Sequence, residues 1–164
     1  MVTVHDLTVA GKFPVGKISS FVNQLGSKEI RHKATILGSD LKKVGAVVGD
    51  SFKIFNLGRK CRVVSSAITV IKADDTAITI DLGYTDGTNL DADAFDGSVA
   101  INATGVTEAV DNKKFLDNAT GANFYTYFTP SALSTLDDAT EILIEQVVAK
   151  YNDCAISTSL SAPV

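Results

Sequence analysis

The chain has 164 residues and a mass of 17.3 kDa, with 45% hydrophobic, 21% charged and 7% aromatic residues. This length and composition predict one folded domain with a substantial core, and they exclude a disordered polar segment or a nucleic-acid-binding arm. No apolar stretch reaches the roughly 18 residues of a membrane-spanning helix, and residues 1–6 lack the pattern of a signal peptide. We therefore expect a soluble protein that does not enter membranes and is not exported by that route.

The charge is distributed unevenly, although its formal net value is only -4. Residues 1–72 carry twelve Lys or Arg against four Asp or Glu (+8), whereas residues 73–164 carry three against fifteen (-12). Such a split favours a surface that meets an acidic partner, because single-sign surfaces steer association. Alternatively, the two halves lie side by side and neutralise each other. The basic residues follow no nucleic-acid-binding motif, so no direct nucleic-acid partner is expected.

The first 28 residues differ from the rest of the chain. Gly11, Pro14 and Gly16 interrupt any regular element and predict an N-terminal arm. Apolar residues spaced i, i+3, i+4 and i+7 over residues 18–25 favour one short helix, closed by Gly26. We expect the segment 1–25 to dock on a neighbouring chain.

From residue 30 onward the pattern is that of short strands separated by turns. Alternating or β-branched runs predict strand-like segments at 30–37, 44–48, 51–57, 62–71, 77–82, 98–103, 124–128 and 140–151. The runs 62–71 and 77–82 are close enough in sequence to predict a β-hairpin. Residues 83–97 are acidic and turn-rich, which predicts a surface loop anchored by Phe95.

These segments show neither β-α-β alternation nor an internal repeat, so they indicate an all-β fold. We predict an antiparallel β-sandwich, jelly-roll-like, with an extended N-terminal arm and at most one short helix. The predicted organisation is an arm or short helix over 1–28, the sandwich domain over 29–156 and a flexible C-terminal tail over 157–164.

Few residues offer catalytic chemistry. No nucleophile elbow, P-loop, dinucleotide fingerprint or HExxH motif occurs. His5 and His32 lack a Ser, Cys or Asp at a catalytic spacing, and we expect them to be structural or exposed. Cys61 and Cys154 lie far apart and are interpreted as core-facing thiols. The sequence therefore predicts no catalytic residue, no cofactor and no enzyme activity.

The acidic segment supplies the candidate metal site. Carboxylates of the kind that calcium prefers lie at Asp86, Asp91, Asp93 and Asp96. The EF-hand register fails, because Phe95 occupies a ligand position and the required turn glycine comes one place late. A solvated acidic loop is the favoured interpretation, and a calcium site is the alternative.

Residues 124–128, with the sequence Phe-Tyr-Thr-Tyr-Phe, also admit two interpretations. The rings could form a carbohydrate-binding platform on an exposed face. Aromatic residues at this spacing in a sandwich are more often part of the core and of subunit interfaces, which we favour.

Several short motifs, in order along the chain, carry a resemblance to a known family. They are Val48-Gly-Asp-Ser-Phe52, Val64-Ser-Ser-Ala-Ile-Thr-Val70, Thr79-Ile-Asp-Leu-Gly83 followed by Asp86-Gly87, Phe95-Asp-Gly97 and Asn102-Ala-Thr-Gly105. Over residues 44–150 the chain resembles small β-sandwich virion proteins of tailed bacteriophages, particularly those of marine podovirus-like phages. The resemblance implies an oligomeric, non-enzymatic component of the particle. The acidic segment and the basic first forty residues depart from the family pattern, which leaves the position in the virion open.

The resemblance implies above all a capsid decoration (cement) protein of the virion, assembled in the cytoplasm of a bacterial host. Its expected partners are the major capsid protein and further copies of itself, in a homotrimer. The candidate capsid contacts are Phe13, Lys28, Arg31 and Lys33. The alternative is a head-fibre or tail-associated host-binding (adhesin) module, in which the aromatic run would be exposed. A glycan hydrolase that uses two of the clustered aspartates ranks last, because such carboxylates seldom acquire split pKa values.

Overall fold

The computed structural model describes residues 4–6, 19–22, 29–43, 45–88, 90–108, 115–117 and 122–150. In chain order the strands are β1 Val4–Asp6, β2 Ser19–Val22, β3 Glu29–Leu37, β4 Ser51–Gly58, β5 Lys60–Lys72, β6 Thr79–Thr85, β7 Leu90–Ala100, β8 Gly105–Glu108, β9 Phe115–Asp117, β10 Phe124–Pro130 and β11 Glu141–Lys150. Within these ranges one helix occurs, α1 (Gly38–Lys43), and no helix has the length and hydropathy to span a membrane.

The strands form two sheets that pack face to face. Sheet A has the strand order β1-β4-β10-β6-β7, and sheet B has the order β2-β3-β11-β5-β8, with β9 also paired to β5. The pairs are antiparallel apart from β1 with β4, which run parallel. The predicted all-β antiparallel sandwich with at most one short helix is therefore confirmed. The jelly-roll description and the domain boundaries stay predictions.

The core lies between the sheets and follows from alternation, because successive side chains of a strand point to opposite faces. In sheet A, Phe52, Phe128 and Leu82 are paired across three neighbouring strands, and the rings of Phe52 and Phe128 stack at 5.0 Å. In sheet B, Ile144 pairs with Ala34 on one side and with Ile68 on the other. All six side chains in these two rows are at most 1% exposed, so the space between the sheets is a dry apolar core.

A buried polar connection crosses the core. The Thr126 hydroxyl of sheet A donates to Oε1 of Gln146 in sheet B at 2.6 Å, and Nε2 of Gln146 donates to the Ser66 hydroxyl at 3.0 Å. All three residues are buried. Because buried polar groups need partners, this chain of hydrogen bonds favours one alignment of the two sheets over others.

The predicted helix over residues 18–25 is wrong. Ser19–Val22 is the strand β2, which pairs antiparallel with β3 from Ser19 opposite Lys33 to Val22 opposite Ile30. A short apolar run satisfies both helical and strand periods, and the available edge of β3 decides in favour of the strand. With β1, this strand brings parts of the predicted arm into the two sheets. The helix that does occur, α1, buries Leu41 in the core.

The predicted hairpin over residues 62–71 and 77–82 is also wrong, because β5 lies in sheet B and β6 lies in sheet A. Both strands do form, but the segment between them crosses from one sheet to the other. Alternation marks the inner face of a strand and contains no information on which sheet the strand joins. Only a tight turn sequence would have indicated a hairpin, and residues 73–78 contain none.

Two further segments differ from the sequence-based expectation. The predicted acidic surface loop is largely the strand β7, although Phe95 is fully buried as expected. The apolar run before Gly49 forms an exposed turn and no strand, with Val47 59% and Val48 61% exposed.

The strands over 124–128 and 140–151 are confirmed as β10 and β11.

A buried carboxylate holds the crossover between β5 and β6. Asp74 is 3% exposed and accepts hydrogen bonds from the Thr76 backbone and hydroxyl, the Asp137 N–H at 2.7 Å and the Thr140 hydroxyl at 2.8 Å. Burial by itself would raise the pKa of Asp74, but these hydrogen bonds outweigh it and lower the pKa below its usual value. The charged form thus ties the crossover to the segment that precedes β11.

We predict that Asp74→Asn lowers the free energy of unfolding at neutral pH by about 1–3 kcal/mol, because charge-assisted hydrogen bonds are lost. A depressed carboxyl pKa stabilises the fold above the unfolded-state pKa, near 4, and this contribution disappears as the pH falls through the lower folded-state value. Urea unfolding measured from pH 7 to pH 2 should therefore show the variant and the wild type converging in acid.

The exposed neighbour offers a control, since Asp75→Asn changes the same charge without touching this network. Asp75→Asn should unfold like the wild type at every pH. Equal effects of the two substitutions would show that Asp74 does not stabilise the crossover.

Candidate interaction surfaces

Two of the four predicted capsid contacts lie on the outer face of sheet B. Arg31 and Lys33 alternate with the buried residues of β3, and Arg31 is exposed. Arg31 pairs with Val147 and Lys33 pairs with Glu145 of the neighbouring strand β11. Phe13 and Lys28, the other two predicted contacts, lie outside the described residues.

The outer face of sheet B also has a shallow depression of about 180 Å³. The depression is lined by the small side chains of Ser65 and Ala67 on β5 and by Arg31, Glu145 and Val147 of the two neighbouring strands. A depression with an exposed guanidinium at its rim can receive a protruding acidic or amide side chain. Strand pairing therefore builds this feature from three segments that are far apart in sequence.

Several ion pairs join the basic first half of the chain to the acidic second half. Their Nζ-to-carboxylate distances are 3.4 Å for Lys33 with Glu145, 2.8 Å for Lys42 with Asp138 and 3.0 Å for Lys60 with Asp117. The charge split in the sequence is thus partly neutralised inside the subunit, as the second interpretation of that split holds. Lys33 is accordingly a weaker candidate for an intermolecular contact than Arg31.

The aromatic run on β10 is buried. Phe124, Tyr127 and Phe128 are at most 6% exposed, and Tyr125 is half-buried beneath the Lys53 ammonium, 4.3 Å from its ring centroid. Phe124 packs against the ring of Tyr84 at 5.6 Å between centroids. Phe124 and Phe128 are therefore core residues, as the favoured interpretation predicts, and Tyr127 is buried on the outer face of the sheet, so these three rings form no exposed carbohydrate platform. A role of this run in a subunit interface stays a prediction.

The strand β7 leaves regular pairing with β6 at Gly83. Leu82 pairs with Asp96 and Tyr84 pairs with Asp91, so residues 92–95 lie opposite the single residue Gly83. A Cβ atom on Gly83 would collide with the Asp91 carbonyl oxygen and lie 2.6 Å from the carbonyl group of Ala92. Glycine is needed here because the backbone of the neighbouring strand occupies the space of a side chain.

The excursion of β7 carries Asp91 and Asp93 toward a buried phenol, and Asp81 lies on the neighbouring strand β6. Tyr127 pairs with Gly83 on the outer face of sheet A and is 1% exposed, and its hydroxyl lacks a hydrogen-bond partner within the described residues. Burial, followed by the negative charges of Asp91, Asp93 and Asp81, raises the pKa of Tyr127 far above its usual value. We call Asp81, Asp91, Asp93 and Tyr127 the acidic patch.

The four predicted calcium ligands do not form one compact group. Asp86 lies in the turn before β7, where its Oδ1 accepts the Thr88 N–H at 2.9 Å, whereas Asp91, Asp93 and Asp96 lie on β7. Among the described residues, no three His, Cys, Asp or Glu side chains are placed to hold a metal ion. The structure instead brings Asp81, absent from the predicted set, close to Asp93.

The buried titratable groups of the core do not form a catalytic arrangement among themselves. His32 stacks on Phe55 at 5.2 Å, and burial together with the nearby Lys150 lowers its pKa to about 4. Burial raises the pKa of Cys61 to about 11, so the group is a neutral thiol at physiological pH. Cys61 is a core-facing thiol, as predicted, and His32 is buried, so of its two predicted roles the structural one holds. Cys154 and the side chain of His5 lie outside the described residues.

An apolar groove that the sequence did not indicate lies beside α1. It has a volume of about 390 Å³ and is lined by Lys42, Ala46, Val47, Val48, Leu133 and Ser134. The sequence feature that could have indicated this groove is the apolar run 44–48 before Gly49, which predicts a strand instead.

Comparisons with known proteins agree on the fold. The chain is similar to a chain in the capsid of Ralstonia phage GP4 (TM-score 0.58, 12% identity, 84% of this chain and 92% of that chain covered). It is also similar to a chain in the cyanophage Pam1 capsid asymmetric unit, with a TM-score of 0.55, 10% identity and 83% of this chain and 94% of that chain covered. A third similar chain belongs to the acid-stable capsid of Helicobacter pylori bacteriophage KHP30, with a TM-score of 0.52, 8% identity and 82% of this chain and 94% of that chain covered. No protein-family model matches the sequence, and no curated protein matches it significantly.

The fold of this protein is thus one that occurs in bacteriophage capsids, and the resemblance to phage β-sandwich proteins is confirmed at the level of the fold. Sequence reasoning missed Asp81 and Tyr127. Two signals could have found them: Asp81 alternates with Ile80 and Leu82, and a glycine inside a strand marks a close approach of another backbone.

We predict that Gly83→Ala displaces the excursion of β7 and uncovers Tyr127, because a methyl group cannot fit beside the Asp91 and Ala92 carbonyls. The free energy of unfolding should fall by about 1–3 kcal/mol, as for other overpacked sites. The near-ultraviolet circular dichroism should change too, since the chain has four tyrosines and no tryptophan.

Gly97→Ala is the matched control, because its Cβ would lie 3.2 Å from the Cβ of Asp93, which requires a shift of only a few tenths of an ångström, and would meet no carbonyl group as the Cβ on Gly83 does. It should lose less stability than Gly83→Ala. A Gly83→Ala variant with wild-type stability and dichroism would contradict the close approach of β7.

Proposed function

We propose that this protein is a structural component of a bacteriophage virion, namely a capsid decoration (cement) protein that binds the outer surface of the major capsid lattice and stabilises it. The observation that supports this most is the fold itself. Three phage capsid structures contain chains of which 92–94% aligns with this protein, at identities of only 8–12%. A fold retained at such low identity is consistent with a role that depends on shape and surface more than on a conserved catalytic group.

The surfaces described above are consistent with an assembly role without enzyme activity. A decoration protein needs a rigid body, a surface complementary to its lattice and a way to associate with itself. The hydrogen-bonded connection through Gln146 supports the rigid body. The exposed depression lined by Arg31 is the lattice contact that we propose, and Lys33 lies opposite Glu145, another of its lining residues. Phe13 and Lys28 are proposed as further contacts from the sequence alone.

A homotrimer is part of this proposal, because a trimer matches the local threefold axes of an icosahedral lattice. The head-fibre or tail-associated host-binding module is the alternative function. Nothing on the described surface favours it, since the rings of Phe124, Tyr127 and Phe128, which would have to bind a host glycan, are buried.

Copy number tests the proposed function. Quantitative mass spectrometry of purified particles should find hundreds of copies of the chain per virion, in a fixed ratio to the major capsid protein. A handful of copies would contradict the decoration role and indicate a fibre or tail position. The most abundant lattice protein of the same particles serves as the internal standard.

We also predict that Arg31→Glu slows attachment to particles stripped of the protein more than it speeds release, because exposed charges at the edge of an interface mainly set the association rate. The effect should shrink as the Debye length falls from roughly 10 Å at 0.1 M salt to about 3 Å at 1 M. Lys33→Glu should have a smaller effect, because Lys33 already pairs with Glu145.

Lys72→Glu is the control for this experiment, since Lys72 is exposed at the far end of the same sheet, opposite Glu141. It should attach at close to the wild-type rate. If Arg31→Glu also attaches at that rate at both salt concentrations, the depression on sheet B is not the lattice contact.

A further inference from the structure

The apolar groove beside α1 is built around a turn that holds two valines in solvent. Val47 and Val48 line the groove and are 59% and 61% exposed. The buried Asp50 fixes this turn, because its Oδ2 accepts the Val47 N–H at 3.0 Å while its own N–H donates to the Val47 carbonyl at 3.0 Å. Gly49 completes the turn with a φ of +91°, which favours glycine. The valines are thus held in place in advance, which lowers the ordering cost of binding a partner.

The rest of the groove is apolar and has little net charge. Ala46 and Leu133 also line it, and Leu133 belongs to the hydrophobic core. The Lys42 ammonium at the groove pairs with the Asp138 carboxylate at 2.8 Å. The groove therefore suits an uncharged, apolar occupant, whereas the exposed guanidinium of Arg31 on sheet B suits an acidic one.

The chain itself contains a segment of this kind directly after β11. Residues 151–164 lie outside the described residues, and from position 154 onward they include no Lys, Arg, Asp or Glu. In an extended segment, residues two apart point to the same side. Ile156, Thr158 and Leu160 would therefore share one side, with serines on the other, over a length of about 13 Å.

The groove of the same copy is out of reach of this segment. The helix α1 follows β3 directly, and Leu37 at the end of β3 lies opposite Glu141 at the start of β11. The groove thus lies at the end of the sandwich where β11 begins, whereas the segment 151–164 leaves from Lys150 at the other end. A strand of this length spans about 30 Å. Ile156, six residues beyond Lys150, extends at most about 20 Å.

We infer that residues 156–160 of one copy occupy the groove beside α1 of a neighbouring copy, with Ile156 and Leu160 against Val47 and Val48. The inference rests on the self-association that is part of the proposed function, and it identifies the surfaces involved. The outer face of sheet B stays available for the lattice, because the contact lies at the ends of the sandwiches. It joins two different surfaces, and such head-to-tail contacts close into rings, of which a trimer is one.

A disulfide between two different chains tests this inference directly. One full-length variant carries Val48→Cys and a second carries Leu160→Cys, both with Cys154→Ser, and the remaining Cys61 is buried. The two are mixed while dilute, concentrated and mildly oxidised. Non-reducing electrophoresis should then show a cross-linked dimer, and mass spectrometry should find one chain of each variant in it. Each variant alone should give no such dimer.

Val106→Cys is the matched control for Val48→Cys, because Val106 is 65% exposed but lies on β8, outside the groove. Mixed with Leu160→Cys, it should give no cross-linked dimer. A link that forms only within a chain carrying both Val48→Cys and Leu160→Cys would overturn the inference, since the groove would then hold its own chain. The absence of any link between these two positions would overturn it as well.

Sedimentation velocity over a range of concentrations gives a second, independent measurement. The variants Ile156→Ser/Leu160→Ser and Val47→Ser/Val48→Ser should each weaken self-association at least about tenfold, because each removes two aliphatic side chains from the contact. The association of the wild type should persist at about 1 M salt, where exposed charge pairs are screened. Its loss at that salt concentration would contradict an apolar contact.

Ser157→Ala/Ser159→Ala is the control for the segment, since these positions fall on its other side. It should associate like the wild type, and circular dichroism establishes that each variant is folded. If the valine variant weakens association and Ile156→Ser/Leu160→Ser does not, another part of the neighbouring copy occupies the groove and the inference is overturned.

The outcomes for this contact and for the proposed function are distinguishable. Hundreds of copies per particle without a link between positions 48 and 160 would overturn the contact and leave the decoration role standing. A handful of copies with the link formed would contradict the decoration role alone.

Discussion

The position of β11 in the middle of sheet B is the constraint on which the rest of the structure depends. This strand pairs with β3 on one side and with β5 on the other, so the end of the described chain completes a sheet begun by its first third. Its inward residues supply the core, and its outward Glu145 neutralises Lys33. Gln146 adds the hydrogen bond to Thr126 that joins the two sheets.

Sheet A is organised by a different constraint, the close approach of β7 to Gly83. Because residues 92–95 have no regular pairing positions, the backbone rises over the outer face of the sheet while Phe95 returns to the core against Tyr84. The result is a surface that gathers negative charge around a buried phenol. The two faces of the sandwich thus differ: the outer face of sheet B has a shallow depression lined by Arg31 and Glu145, and that of sheet A has aspartates on β6 and β7 with Lys53 on β4.

The sequence allowed the fold class to be predicted, because alternation and β-branched residues reflect burial directly, as in the strand β11. Alternation does not indicate which sheet a strand joins, so the sequence predicts a hairpin where β5 and β6 are joined by a crossover. Similarly, residues 18–25 fit two periods, and only pairing with β3 decides between them. The candidate surfaces are less predictable still: the sequence indicates Arg31, but the placement of Asp81 and Tyr127 on one face of sheet A follows from pairings between β6, β7 and β10 that are set by tertiary structure.

A cryo-electron microscopy reconstruction of the intact particle tests the decoration role most directly. If the protein is a decoration protein, the two-sheet sandwich should fit density on the outer surface of the head at every equivalent lattice position, with the outer face of sheet B and Arg31 toward the major capsid protein. Density for this fold confined to the tail or to a single vertex would contradict that role.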